Sequence, residues 1–275
     1  MSAPSALGRV IATVELNPHL VRVELDVPEL TGLDLPYAPD AAVGLYFPAV
    51  DEESAPSGRT YTVREHDAVN NRIIVDFVMH GRGTGTEWVR RAGPGDAVTL
   101  AHARSWYRPP SATDWQVLVA DMAGLPALAR LIDEQPHIES IAIVEVLDGD
   151  DLGYLPDHPA IPVVESVGTG NGGAASVLAA LAARYCRVPG RGYCWFAGEA
   201  GEARAVRNYL RREQQWLSDQ VDSIGYWRRD SEDWDERYAR VGPRLFSVYE
   251  RARAAGKSDK EAAGEFDDAL ERLGL

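Results

Sequence analysis

The hydrophobic rhythm of this chain changes once, at Arg108-Pro109-Pro110-Ser111-Ala112-Thr113. Upstream, apolar and polar residues alternate in short runs; downstream, apolar runs alternate with stretches of helical periodicity. A period of two lines one face of a strand, and a period near 3.6 lines one face of a helix. The two halves therefore need different layers around different cores. Consecutive prolines remove backbone donors and suit neither a helix interior nor a central strand, so this run reads as a linker. The sequence predicts a first domain over residues 1–110, a second over 111–228 and a C-terminal helical extension over 229–275.

In the first half, Val21, Val23, Leu25 and Val27 alternate with polar residues, the pattern of a half-buried strand. Residues 8–16, 43–47, 59–64, 72–79 and 96–100 read similarly, separated by Gly, Pro and Asp clusters. Six short strands predict an antiparallel barrel. Residues 51–58 read as an exposed loop, and 86–92 as a short helix stopped by Gly93-Pro94-Gly95. In the second half, strands are expected at 115–120, 138–147, 162–166, 192–197 and 223–227, and helices at 125–134, 174–184 and 202–216. Such β–α repetition implies a parallel sheet covered on both faces, with ligands beyond the carboxyl ends of its strands. The tail opens with five acids in seven residues, Asp230 to Glu236, expected as a solvated loop or helix start. Helices follow at 243–253 and 258–273, the second capped by Ser258 with Glu261 three residues on. The fold class is thus all-β plus α/β.

Composition narrows the function. The 28 basic and 42 acidic residues leave a formal charge of −14, which disfavours general binding to nucleic-acid phosphates. A hydrophobic fraction of 45% is that of a chain with real cores, not of a disordered one. No apolar run reaches the roughly 18 residues of a membrane span, and MSAPSALGRV carries no export signal, so a cytoplasmic location is expected. Cys186 and Cys194 read as free thiols, and six scattered histidines predict no dedicated metal site.

Two stretches carry chemistry. In Arg59-Thr60-Tyr61-Thr62-Val63-Arg64, Arg59, Tyr61 and Val63 point one way along a strand and Thr60, Thr62 and Arg64 the other. An arginine fork suits a pyrophosphate, a tyrosine ring can stack on a flat cofactor, and a threonine hydroxyl can bond a ring nitrogen. The same stretch reads equally well as an edge strand with charged ends. In His80-Gly81-Arg82-Gly83-Thr84-Gly85-Thr86-Glu87-Trp88, three glycines precede a helix start, where backbone amides can meet phosphate oxygens. A plain strand-to-helix turn also accounts for it.

Together these segments resemble the siderophore-interacting protein family, flavoproteins that reduce ferric siderophores. The family's Arg-x-Tyr-Thr-x-Arg stands here as Arg59, Tyr61, Thr62 and Arg64. Its Asp-Phe-x-x-His-Gly is Asp76, Phe77, His80 and Gly81, and its Gly-Pro-Ala-Ser-x-Trp is similar to Gly83 to Trp88. Pro94-Gly95-Asp96, Trp195-x-Ala197-Gly198-Glu199 and Tyr226-Trp227-Arg228 follow in order, so the likeness runs over residues 8 to 228. It implies a six-stranded FAD-binding barrel followed by an NAD(P)-binding-type domain, as in ferredoxin reductases. Arg59 would then contact FAD phosphate or ribityl oxygens, Tyr61 would lie against the isoalloxazine, and Thr62 would bond near its reactive nitrogen. His80 and the amides of Gly85 and Thr86 would hold the pyrophosphate. The resemblance adds Val63, Arg64, Asp76, Val78, Gly81, Thr84, Trp88, Tyr226 and Trp227 to the cofactor set, and Asp121, Ala197, Gly198, Glu199 and Arg204 to the nicotinamide-nucleotide set. NADH or NADPH would be the donor and a ferric siderophore the acceptor, and no side chain need be catalytic because the flavin carries the electrons. The negative net charge mildly favours a neutral hydroxamate siderophore.

Two departures stand out. The family's Asp-Glu-Thr-Ala-Leu-Pro-Ala is Asp121-Met122-Ala123-Gly124-Leu125-Pro126-Ala127 here, and its Gly-Pro-Arg-Gly is His102-Ala103-Arg104-Ser105. They motivate an alternative, a flavoenzyme of the same build with altered nicotinamide use doing another redox reaction, such as a biosynthetic tailoring oxidation. A third reading is a flavin or siderophore carrier without turnover. Gly168-Thr169-Gly170-Asn171-Gly172-Gly173 fits a dinucleotide fingerprint, but it falls in mid-domain with no acidic residue near the ribose position, and reads as a connection. Arg204, Arg207 and Arg211 share one helix face, expected to be a solvated face paired with nearby acids. Trp227 reads equally as a core residue or as an aromatic near the flavin.

Overall fold

The computed structural model describes residues 4–48, 57–81, 83–134, 137–186, 189–229 and 231–273. Residues 51–56 of the expected loop, Arg82, Arg187-Val188 and Asp230 lie outside these. The first half forms seven antiparallel strands: β1 (Ser5–Asn17), β2 (Leu20–Asp26), β3 (Ala42–Phe47), β4 (Ser57–Thr62), β5 (Glu65–Asp67), β6 (Arg72–Val78) and β7 (Ala97–Arg104). Their order is β4-β3-β7-β1-β2-β6-β5. The seventh strand arises because the stretch expected at 59–64 turns after Thr62. The Val63 amide bonds Ala41 O and the Arg64 amide bonds Ile74 O, so residues 57–67 pair with β3 at one end and β6 at the other. That stave closes the sheet into a barrel around Val23, Leu25, Val43, Leu45, Val75 and Phe77. Helix α1 (Thr84–Val89) plugs one end, with the Trp88 ring 5.0 Å from Phe47 and 5.8 Å from Phe77.

The second half is a five-stranded parallel sheet, β8 (Trp115–Ala120), β9 (Glu139–Val146), β10 (Val163–Val167), β11 (Gly192–Glu199) and β12 (Val221–Trp227), in the order β10-β9-β8-β11-β12. All six residues of β8 are buried, as expected of a central strand with helices on both faces. Helices α2 (Leu125–Asp133), α3 (Leu178–Tyr185) and α4 (Ala200–Asn208) cover it. Helix α3 starts four residues later than its periodicity predicts, because the preceding loop bonds to itself through Gly170 N to Ala175 O and Ala174 N to Gly170 O. Helix α4 starts at Ala200, capped by the Glu199 carboxylate, and gives way to a single π turn over Tyr209–Glu213. Cys186 and Cys194 are free and buried, and the neighbouring Cys186, with burial, holds the Cys194 thiol well above its usual range.

The two sheets are joined by polar contacts. Asp76 on β6 is 3% exposed and takes both Arg22 Nε and Arg22 Nη2 at 2.8 Å, with the Tyr154 hydroxyl donating from the second half. Arg130 on α2 donates to Val63 O at 2.9 Å, and Arg64 pairs with Asp133 at 2.6 Å. The extension is a helical hairpin, α5 (Ser231–Ala254) and α6 (Asp259–Arg272). Helix α5 begins well before Pro243, where the sequence places its start. Tyr238 and Val241 on one side of the proline, and Leu245 and Val248 on the other, pack on Phe266, Ala269 and Leu270, which holds both segments in line. No helix among the described residues is long and apolar enough to cross a membrane.

Candidate cofactor and substrate groove

Pairing of β4 with β3 sets which motif residues face where. Tyr61 lies opposite buried Val43 and turns toward the barrel interior, while Thr60 lies opposite Gly44 on the outer face. The Tyr61 ring packs 4.4 Å from Phe77, and burial pushes its phenol well above the usual range. Its hydroxyl lies against Gly85, where an added Cβ would meet it at 1.8 Å. Only glycine fits there, and this contact joins the strand motif to the glycine-rich turn. Gly83, at φ +148°, opens α1 with no side-chain cap, beneath the His80 ring. The amides of Gly85 and Thr86 fall in the first turn, where a helix offers them no acceptor. Arg90 bonds the carbonyls of His80 and Gly81 and so ties the start of the turn before Thr84 to the end of α1.

On the outer face a groove of about 300 Å³ runs between β3, β4 and the end of β12. Gly44 and Gly58 form its floor, and a Cβ on Gly58 would sit 2.4 Å from the Tyr46 ring. The Arg59 guanidinium reaches only Gly58 O and has no carboxylate partner among the described residues. Arg104 bonds Thr60 Oγ1 at 2.8 Å and lies 5.8 Å over the Trp106 ring. Tyr226 lines the inner end of the groove, and its hydroxyl, Thr62 Oγ1 and Asp40 Oδ1 are buried without a well-formed hydrogen bond among the described residues. Thr62 and Asp40 both lie near enough to Tyr226 to act on its phenol, which burial and then the Asp40 charge raise above the usual range.

Asp40 carries no local signal in the sequence beyond following Pro39. Its Oδ2 accepts from the amides of Trp106 and Tyr107, at 2.9 and 2.7 Å, and from Trp195 Nε1 at 3.2 Å. One carboxylate thus ties the barrel, the chain after β7 and the parallel sheet together. Burial raises its pKa against those three bonds. The donors lie 66 to 155 residues away in sequence, which is why no reading of the local pattern finds it.

Strand order in the parallel sheet reverses between β8 and β11, and ligands of open α/β sheets bind at such a point. Asp121 sits there, 2% exposed, accepting from Ala123 N, Gly124 N, Glu199 N and Trp227 Nε1 at 2.8, 3.3, 2.9 and 2.6 Å. Desolvation outweighs these bonds and raises its pKa to about 6. Gly198 is crowded by Asp121, its Cβ position lying 2.8 Å from Oδ2. Buried Ala197 supplies the carbonyl that Asp121 N meets at 3.3 Å. Glu199 caps α4 through the Gly201 and Glu202 amides, and its other oxygen accepts from Arg229 N. Arg204, one turn on, is half-buried with no ion-pair partner among the described residues. Trp227 is fixed by Asp121 and flanks Gly172 of the glycine loop, which places it at the switch point. That loop spends its amides internally and on Val146 O, and Asn171 reaches out to Met122 N at 3.0 Å.

Both departures from the family pattern have structural reasons. His102 adopts φ +56°, which a glycine takes without strain and a histidine tolerates, and its Nδ1 bonds the Tyr46 hydroxyl at 2.7 Å. Gly124 packs against β11 so closely that a Cβ would lie 2.2 Å from Ala197 O. Met122 is 1% exposed and joins the core rather than the cleft. The remaining predicted residues divide. Val63, Arg64, Asp76 and Val78 stand at the contact between the two halves, where Arg22, Tyr154 and Asp133 occupy the charged ones. Trp88 and Tyr61 are packed among barrel aromatics, and Thr86, 2% exposed, keeps an unpartnered Oγ1. The arginine face of α4 meets acids of α6: Arg207 pairs with Asp267, and neighbouring Arg212 with Asp268 and Glu271.

The residues present suit FAD. A buried polar atom without a full set of partners costs roughly 1–3 kcal/mol, and the Tyr226 hydroxyl at the groove wall suits a polar ligand edge. Arg59 and Arg104, without carboxylate partners among the described residues, and the glycine floor beside them suit phosphate and a flat ring. Comparison with known proteins agrees. Residues 113–230 match the family "Siderophore-interacting protein", and residues 47–105 match "Siderophore-interacting FAD-binding domain". The chain is 30% identical over 182 residues to ferric vibriobactin reductase of Vibrio cholerae, covering 64% of this chain and 66% of that protein. It is 31% identical over 220 residues to the mycobactin import ATP-binding/permease protein of Mycolicibacterium thermoresistibile, covering 77% of this chain and 24% of that much longer one. The siderophore-interacting protein structure from Acinetobacter baumannii superposes with a TM-score of 0.77 at 25% identity, over 90% of this chain and all of that one. The chain belongs to the siderophore-interacting protein family.

Proposed function

We propose that this protein is an FAD-dependent oxidoreductase that reduces ferric siderophores with NADH or NADPH, releasing Fe(II) in the cytoplasm. The observation that carries the reading is the position of the groove. It lies on the barrel's outer face and ends at Tyr226 on β12, close to the carboxyl ends of β8 and β11. A ring held by the barrel and a nucleotide held by the parallel sheet would meet there. When bound, FAD supplies the exchange between a two-electron donor and a one-electron acceptor, so one hydride serves two Fe(III) ions. The chain's own residues bind and orient. Arg59 and Arg104 offset phosphate charge, and the His80 turn with the Gly85 and Thr86 amides takes phosphate oxygens. Thr62 and Tyr226 offer hydroxyls to a polar ring edge. Asp121 holds Trp227 beside the nicotinamide-nucleotide side, which Gly198, Glu199 and Arg204 border. Fe(II) holds hard oxygen ligands more weakly than Fe(III), so reduction frees the iron.

The turn after β8 lacks the family's acidic and hydroxyl residues and buries Met122, which supports the second reading, a related flavoenzyme with a different donor or reaction. An anaerobic absorbance titration separates the two. Bleaching of the flavin band by NADH or NADPH, and its return on adding a ferric siderophore, is the expected result. A yellow protein that both donors leave oxidised favours the second reading, and a colourless protein that cannot be loaded with FAD sinks both.

A further inference from the structure

A second, larger cavity of about 870 Å³ lies where the helical hairpin faces the rest of the molecule. Its walls are α6, the π turn after α4, β12 and the chain after β7. It shares Trp106, Ile224 and Gly225 with the groove, so the two spaces adjoin at that point. Its volume falls within the roughly 300–1,000 Å³ of small-molecule sites. We propose that this cavity is the siderophore chamber, that α6 forms its outer wall, and that it takes iron complexes of low net charge, of the hydroxamate class. The proposal rests on the reductase reading above and adds to it where the acceptor sits and what charge it carries.

The charge argument comes from the walls. The cationic side chains are largely neutralised within the structure: Lys260 pairs with Asp222 at 2.6 Å, Arg207 with Asp267, Arg212 with Asp268 at 3.2 Å, and Lys257 with Glu265. Arg211 is engaged by Trp216 O. Arg108 alone among these lining bases has neither a carboxylate nor a carbonyl partner among the described residues. Such a surface is rich in donors and acceptors; the Trp216 carbonyl leaves the Arg211 charge in place beside that of Arg108, the Glu261 carboxylate adds a negative one, and the lining sums to about one positive charge. It cannot offset a trianionic tris-catecholate, and the chain's net charge of −14 opposes one further. A near-neutral trihydroxamate needs no such compensation. Contact at Trp106, beneath Arg104, would bring its iron to the mouth of the groove.

Gly264 on α6 lines the cavity, and a Cβ there meets nothing within 4 Å, so a large side chain can enter without displacing backbone. The test compares wild-type protein with Gly264→Trp and Arg108→Gln by equilibrium binding of ferrioxamine B, a ferric trihydroxamate, to the oxidised holoprotein, with thermal melting as the check on folding. Gly264→Trp is expected to raise the Kd and the KM for ferrioxamine B at least tenfold. If it does not fold, Trp106→Phe replaces it: quenching of tryptophan fluorescence by the ferric complex should fall by at least half. Arg108→Gln should weaken a tris-catecholate more than ferrioxamine B. An unchanged Kd and KM in a folded Gly264→Trp, or unchanged quenching in Trp106→Phe, overturns the chamber while leaving ferric reduction standing. Tighter binding of a tris-catecholate than of ferrioxamine B by wild-type protein overturns the charge assignment. Tight binding that Gly264→Trp abolishes, without electron transfer to ferrioxamine B in wild-type protein, sinks the reductase reading and leaves the chamber.

Discussion

Single residues at this site are chosen by what surrounds them more than by their own chemistry. Asp121 shows this most clearly: four donors hold it, yet burial still raises its pKa to about 6. Its carboxyl binds a proton more tightly folded than unfolded. By itself it therefore favours folding below its unfolded value of 3.8, and that contribution is lost as pH rises toward about 6. Trp227 donates to the ionised form, so its fluorescence should titrate with a midpoint near pH 6. Asp121→Asn should remove that titration; a persistent midpoint in the variant would assign it elsewhere. Gly124 is constrained in the opposite way, by space. Gly124→Ala forces a methyl onto Ala197 O, and overpacking of this kind costs roughly 1–3 kcal/mol. A drop in Tm of roughly 2–4 °C per kcal/mol is expected by calorimetry, and an unchanged Tm would refute the close approach.

At the level of elements, periodicity located the strands and helices, and the ends were set by capping and by contacts. Helix α6 follows its sequence signal: Ser258 accepts from Glu261 N, and Glu261 returns a bond to Ser258 N. Ser258→Ala should cost about 1 kcal/mol and speed amide exchange in the first turns of α6. Exchange in β8 and β11 should stay slow, because those strands are buried in another core. Equal acceleration in both would contradict a separate hairpin core. Helix α5 departs from its local signal because packing on both sides of Pro243 outweighs one missing hydrogen bond. The extra strand β5 has a similar origin. Three exposed residues have little strand pattern of their own, and only the β6 edge gives them one.

For the whole molecule, the contact between the two halves combines apolar packing of Leu20 and Val78 with polar links, and the Arg22–Asp76–Tyr154 set carries a buried ion pair at it. Asp76→Asn leaves Arg22 with only the exposed Glu65 carboxylate, 3.9 Å away, as a charge partner. Breaking a buried pair costs roughly 3–5 kcal/mol, and the part-exposure of Arg22 places the expected loss at the low end of that range. Urea unfolding should show it, and a loss under about 0.5 kcal/mol, the size of an ordinary surface change, would mean the contact is incidental. Charge acts at longer range. With a net −14, encounter with an anionic ferric complex should speed up as salt is added, while that of ferrioxamine B, a monocation through its terminal ammonium, should slow slightly. Parallel salt series of second-order reduction rates measure this, and equal slopes would remove any role for overall charge.

The sequence by itself determined the two layer types, the break near Pro109, the strand and glycine-turn motifs and the helical tail, because these depend on spacing along the chain. It also carried the family resemblance, since Arg59 to Arg64 and His80 to Trp88 are contiguous. What only the tertiary structure decided depends on groups brought together from far apart. Asp40 joins donors from two distant segments, Asp76 serves the contact between halves, and Thr62 meets Tyr226 across 164 positions of chain. His102 and Gly124 look like lost motif residues in sequence, but a positive φ and a carbonyl 2.2 Å from a Cβ position account for them. Burial, close approach and unmet hydrogen bonds are properties of the assembled surfaces, and a linear pattern does not encode them.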